Sequence, residues 1–243
     1  MEQMWIEGFA FLMVAFLYAS VGHGGASGYL ALMALLNISP LVMKPTALIL
    51  NLIVSLVSFL SFYRAQHFKQ AMLWPLVITS IPAAYVGSIM PVSEPLYKKI
   101  LAIVLLIAVI RMLIKPLAAE KMTSPKWYWL SLAGGVIGLL SGMIGMGGGI
   151  LLSPLLLMMG WATIQQTAAI SAIFIFLNSA SGMLGQLKKG FDLAPSMYLI
   201  IGFVLVGGWL GAYFGSSRFK TTQLKFILAV VLILAVSKLL FVN

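Results

Sequence analysis

Two long apolar segments of this chain are each interrupted by a cluster of glycines, and that pairing constrains the fold more than anything else in the sequence. The second cluster is Gly145-Met146-Gly147-Gly148-Gly149, followed by Ile150-Leu151-Leu152-Ser153-Pro154. The first is Gly22-His23-Gly24-Gly25-Ala26-Ser27-Gly28. Glycine takes positive φ without steric cost and lets another group approach the backbone closely. It is also among the poorest residues for a helix interior, so such a cluster marks a break.

The segments that carry the breaks are membrane material. Of 243 residues, 62% are apolar and 8% charged, and mean hydropathy is +1.08. Soluble domains are about a quarter charged, so this chain has too little charge to wet its surface. Apolar runs separated by charged punctuation fall at 4–36, 45–63, 71–90, 96–114, 127–159, 163–187, 194–216 and 224–241. A span needs about 20 apolar residues, which makes the runs 4–36 and 127–159 too long for one straight crossing. The expected fold is all-α: a polytopic integral membrane protein with about eight transmembrane segments. The first run opens with Glu2 and Glu7 and lacks a basic leader, so it reads as a membrane element rather than a cleaved signal peptide. Trp5, Trp74, Trp127, Trp129 and Trp161 fall near segment ends, as interfacial anchors do.

The order of features repeats. Gly22, Gly24 and Gly25 match Gly145, Gly147 and Gly148 at constant offset, and Thr46-Ala47 matches Thr167-Ala168 after a short slip. Ala83 and Gly87 match Gly207 and Gly211, and Arg111 matches Lys238. We therefore expect two tandem homologous halves, 1–116 and 127–243, joined by a charged linker at 117–126, each half opening with a glycine-broken helix. Matched broken helices in duplicated halves point to a transporter's binding site. Loop lysines and arginines divide similarly for parallel and inverted repeats, so membrane orientation stays open.

The charges narrow the function. The net charge of +10 comes from basic residues gathered mostly at segment ends, where they meet lipid headgroups, rather than from a nucleic-acid surface. Lys44, Arg64, Lys69, Lys188 and Lys189 stand where they contact headgroups or draw anions toward an entrance. All five acids, Glu2, Glu7, Glu94, Glu120 and Asp192, lie at segment ends or loops. No carboxylate is placed to coordinate a cation at mid-membrane, which favours an anion or neutral solute. The absence of cysteine excludes thiolate chemistry and Cys-ligated metals. No HExxH, P-loop or acidic pair is present, and no metal or cofactor is expected. Gly25-Ala26-Ser27-Gly28 superficially matches a serine-protease GxSG, but the later histidine, His67, falls in a charged loop and the second half has no matching serine. An enzyme is not expected.

Unwound backbone inside a bilayer must be buried in protein or line a wet cavity. The helices that restart after each break aim N–H donors and partial positive charge back at it. Two such ends facing one another make an anion site from backbone. The candidate substrate-binding residues are Gly22, His23, Gly24, Gly25 and Ser27 in the first break and Gly145, Gly147, Gly148 and Gly149 in the second. Thr46, Asn51, Thr167, Ser171 and Asn178 join them on the helices that follow, within polar stripes that also include Ser55 and Ser58. His23 is the only ionisable residue placed deep in the membrane, where it could bind an anion or carry a proton. Its counterpart is Met146, so the two breaks differ chemically. The stripe Gly207, Gly211, Gly215 and the pair Ala83, Gly87 are expected to be helix-packing faces.

The pattern Gly-x-Gly-Gly-Gly-x-x-x-x-Pro at 145–154, with its degenerate copy at 22–31, resembles the TauE/SafE sulfite exporter family. In the copy, Ala26 stands for the third glycine of the triplet and Ala31 for the proline. The resemblance covers nearly the whole chain. It implies a multi-pass permease of a bacterial or archaeal plasma membrane that carries sulfite, an organosulfonate or another small organic anion, with a binding role for Ser27 and Gly28. The expected function is transport of such an anion by alternating access around a midplane site at the two breaks. A passive anion channel, or a carrier of a different organic anion such as a carboxylate, is the alternative. The partners expected are the anionic substrate and the bilayer, with a homodimer left open and nucleic acid excluded.

Overall fold

The computed structural model describes residues 2–20, 22–113, 123–190, 196–217, 233 and 236–237. The helices among them are α1 (Glu2–Ala19), α2 (Ala26–Leu35), α3 (Pro40–Arg64), α4 (Gln70–Ile89), α5 (Glu94–Leu113), α6 (Trp127–Ile144), α7 (Gly149–Met158), α8 (Ile164–Lys189) and α9 (Ser196–Ser217). No strand occurs among the described residues. Most of the segment expected at 224–241 and most of the linker at 117–126 lie outside them.

By length and composition, α3, α4, α6, α8 and Met197–Phe214 of α9 can each cross a membrane. Together with the shorter apolar helices α1, α2 and α7, they make this a multi-pass membrane protein. Large apolar side chains such as Ile78, Val136, Leu184 and Trp209 face outward, as lipid-facing residues do. Trp5, Trp74, Trp127 and Trp129 are exposed near the starts of α1, α4 and α6, at interfacial positions.

Both overlong runs break at their glycines. α6 ends on Gly145 at φ +85°, and after Gly147 at +69° the chain turns into α7 through Gly148 at +85°. The first break takes the same course, with Gly22 at +75° and Gly25 at +89° before α2. The restarted helices α2 and α7 are 10 residues each, about 15 Å long at 1.5 Å per residue and half a bilayer's hydrocarbon core. The long helices that follow start on ordinary caps. The Ser39 hydroxyl accepts from the Leu41 N–H ahead of α3, and a Thr163–Gln166 capping box opens α8.

Helices from early and late in the chain interleave: α4 packs along α6, α1 along α9, and α3 against α8. Small residues set the first two of these contacts. Gly134, Gly138 and Gly142 of α6 lie one turn apart against the backbone of Leu76, Ser80 and Ala84 in α4. Gly207 and Gly211 of α9 sit on the Leu12 and Phe16 carbonyls of α1, and Gly87 of α4 on the Leu139 carbonyl of α6. A Cβ at any of these glycines would overlap backbone, so Gly207, Gly211 and Gly87 pack as expected; the packing of Gly215 lies outside the described residues. Hydroxyls add cross-helix bonds: Thr79 Oγ1 donates to the Ser131 carbonyl at 2.6 Å, and Ser181 Oγ to the Ile81 carbonyl at 2.6 Å.

One cation departs from its expected place. Lys44 does not lie at the headgroups; it is buried in the first turns of α3 and donates to the Ser88 carbonyl at 3.0 Å. The sequence Ser39-Pro40 moves the helix start ahead of Lys44, and the end of α4 covers it. His23 is therefore not the only ionisable group inside the helical bundle.

Candidate functional site

The two breaks meet at Asn51. A Cβ built on Gly24 would come within 2.6 Å of Asn51 Oδ1, and one on Gly147 within 3.0 Å of Asn51 Nδ2. Only glycine lets both backbone turns approach the amide this closely. Asn51 is fully buried at the middle of α3, and neither polar atom of its side chain has a hydrogen-bond partner. Beside it lies a narrow cavity of about 10 Å³, room for one water-sized group, lined by Tyr18, His23, Gly24, Gly25, Ala26, Ser27, Asn51, Met146, Gly149, Ile150 and Ile175.

Both half-helices present their N-termini to this cavity, α2 through Ala26 and Ser27 and α7 through Gly149 and Ile150. Neither Gly25 nor Gly148 can cap its helix with a side chain. The first N–H groups of a helix have no partner within it, and the helix dipole concentrates positive potential there. Among the described residues no carboxylate lines the cavity.

Side chains tie the breaks together. His23 Nε2 and Ser153 Oγ share a hydrogen bond at 2.9 Å, and Ser153 Oγ and Ser171 Oγ another at 2.8 Å. The chain His23–Ser153–Ser171 thus links the first break to α7 and α8. Ser27 Oγ donates to Tyr18 Oη at 2.6 Å, joining α2 back to α1.

Of the residues expected in the site, His23, Gly24, Gly25, Ser27, Asn51 and Gly149 line the cavity. Gly147 backs onto Asn51 and Ser179, Gly148 onto Ser141, and Ser171 joins through Ser153. Gly22 packs on Ala168 and Gly145 on Lys44, and neither lines the cavity. Thr46, Thr167 and Asn178 do not line it. The two threonines are buried with unpartnered hydroxyls, and Asn178 Nδ2 donates to the Phe174 carbonyl of its own helix at 2.8 Å. Tyr18, Ser141, Ser153 and Ser179 belong to the surroundings and were not expected. Ser153 was open to inference, since it lies one turn beyond Gly149 in the restarted helix. Ser179 was too, two turns beyond Ser171 on the same stripe.

Both glycine breaks lie within the region that comparison with known proteins recognises. The family described as sulfite exporter TauE/SafE matches residues 8–239. The chain belongs to the TauE/SafE family. A relative within reach of direct alignment, the "Probable membrane transporter protein y4hK" of Sinorhizobium fredii (strain NBRC 101917 / NGR234), is 37% identical over 237 residues, covering 96% of each chain. No solved structure matches. As a TauE/SafE protein the chain is a membrane transporter, a class distinct from enzymes.

Proposed function

We propose that this chain is a plasma-membrane permease for a small oxyanion, sulfite or an organosulfonate, bound where the two glycine breaks face Asn51. The observation that carries this reading is the pairing of two uncapped helix N-termini with a buried, unpartnered amide around one cavity that no described carboxylate lines. The first-turn N–H groups of α2 and α7 would bind the oxyanion, the Asn51 Nδ2 would donate a further bond, and His23 and Ser27 would close the sides. The anion needs no buried counter-cation, because helix ends supply the potential.

Two tandem halves and about eight spans complete the reading. Equivalent helices keep equivalent neighbours under exchange of the halves: α4 on α6 corresponds to α9 on α1, and α3 on α8 corresponds to itself. The cavity has room for about one water-sized group, so an oxyanion would enter as α2 and α7 part, with access opening toward one side at a time. Export of a monoanion can run on an inside-negative potential, worth about 2.3 kcal/mol per charge per 100 mV.

The test is sulfite flux in proteoliposomes. Wild type should exceed empty vesicles, and Gly148→Val should fall to their level, since a side chain there meets Ser141 Oγ at 2.5 Å and is strained at φ +85°. Equal flux from wild type and Gly148→Val would discard the site.

A further inference from the structure

We propose that Lys44 is a second anion-binding point, a stepping site between the open end of α8 and the glycine breaks. This rests on the anion reading above and adds a place where the anion pauses.

The geometry is a line of cationic groups running inward. At the exposed end of α8, Lys189 Nζ donates to the Met90 carbonyl at 3.3 Å. Further in, Lys44 Nζ donates to the Ser88 carbonyl at 3.0 Å, and Gln186 Nε2 reaches the same carbonyl at 3.0 Å and Ser88 Oγ at 2.8 Å. The Lys44 stem lies against Gly145, where a Cβ would come within 2.9 Å of Lys44 Cγ. Exposed Lys189, buried Lys44 and the first glycine of the second break thus follow one another into the bundle.

Burying an ammonium is costly unless it is paired and hydrogen-bonded. Lys44 is 8% exposed, and among the described residues no carboxylate pairs with it. The charge nearest to it in effect is Lys189, which repels it. The carbonyls at the end of α4 offset part of this, since cations suit a helix C-terminus. One carbonyl occupies one of three ammonium donors. Two donors and an excess of positive charge are left, which a singly charged oxyanion would complete. Lys44 would then hold the anion by one charge-assisted hydrogen bond and hand it to the N–H groups beyond Gly145.

The experiment is thermal unfolding of the purified full-length protein in detergent, titrated with sulfite and with methanesulfonate at constant ionic strength. The variants are Lys44→Gln, Lys44→Arg, Lys189→Gln and Asn51→Ala. Lys44→Gln should raise the half-stabilising anion concentration about tenfold, the worth of one charge-assisted bond, while Lys44→Arg stays within about threefold. Lys189→Gln, at an exposed position where folding is not at stake, should raise it about threefold and serves if Lys44→Gln does not fold. Unchanged half-stabilising concentrations in Lys44→Gln, or in Lys189→Gln when only that variant folds, overturn the stepping site. So does a Lys44→Gln melting point lowered equally with and without anion, which marks a purely structural role. If Asn51→Ala binds as wild type does while Lys44→Gln does not, the midplane site falls and the stepping site stands. If neither anion stabilises wild type, both fall.

Discussion

A fully buried amide with no hydrogen bond costs about 1–3 kcal/mol, and both polar atoms of Asn51 are in that condition. Truncating it forfeits no bond within the fold. Asn51→Ala should therefore keep unfolding stability within about 1 kcal/mol of wild type while sulfite flux drops at least about tenfold, the loss of one donor to a charged ligand. Parallel melting and flux measurements check both halves of that expectation. Asn51 was legible in the sequence because it follows the first break on a polar stripe. His23 was legible because an ionisable group stands out in an apolar run. Lys44 was misplaced for a physical reason: a lysine beside prolines at the start of an apolar run looks the same whether water or the end of α4 covers it. Only the distant contact with Ser88 decides. Ser153 and Ser171 form a linked pair through tertiary contact, and no local pattern distinguishes them from helix glue.

At the scale of elements, composition forecast the breaks and the structure explains their sharpness. Five glycines at φ between +69° and +89° turn the chain twice with no side chain in the way. The helices restart at Ala26 and Gly149, directly after the last left-handed glycine of each break. Gly25 and Gly148 act as left-handed caps, which sequence alone does not separate from loop glycines. Helix contacts were foreseen only in part, since GxxxG faces declare that they pack but not on which partner. The α6 stripe gives a clean comparison. A side chain at Gly142 overlaps the Ala84 carbonyl, whereas at Gly135 the nearest atom is Thr79 Cβ at 3.8 Å. Gly142→Val should destabilise by about 1–3 kcal/mol through overpacking, and Gly135→Ala should be neutral or slightly stabilising through helix propensity. Thermal unfolding of the two variants side by side measures the difference. A Gly142→Val protein as stable as Gly135→Ala would mean the two helices do not touch there.

For the molecule as a whole, α1 and α4 find their main neighbours in α9 and α6, from the other end of the chain. Any opening motion must respect those seams. Rigid separation of residues 1–116 from 127–243 would break both seams, because each stretch holds helices that pack on the other. The short α2 and α7 lie outside those seams and lean mainly on α3 and α8. Expressing 1–116 and 117–243 as two polypeptides in one cell should restore flux, while either fragment alone should be lost to proteolysis. Recovery of a stable, folded single fragment would contradict the interleaving. The same interleaving has a cost during synthesis. When α4 leaves the ribosome, the glycine face of α6 that will cover Leu76, Ser80 and Ala84 has not yet been translated. The early helices must wait in the lipid with small and hydroxyl-bearing faces uncovered. Burial of those faces therefore waits on later synthesis, of α6 for α4 and of α9 for α1.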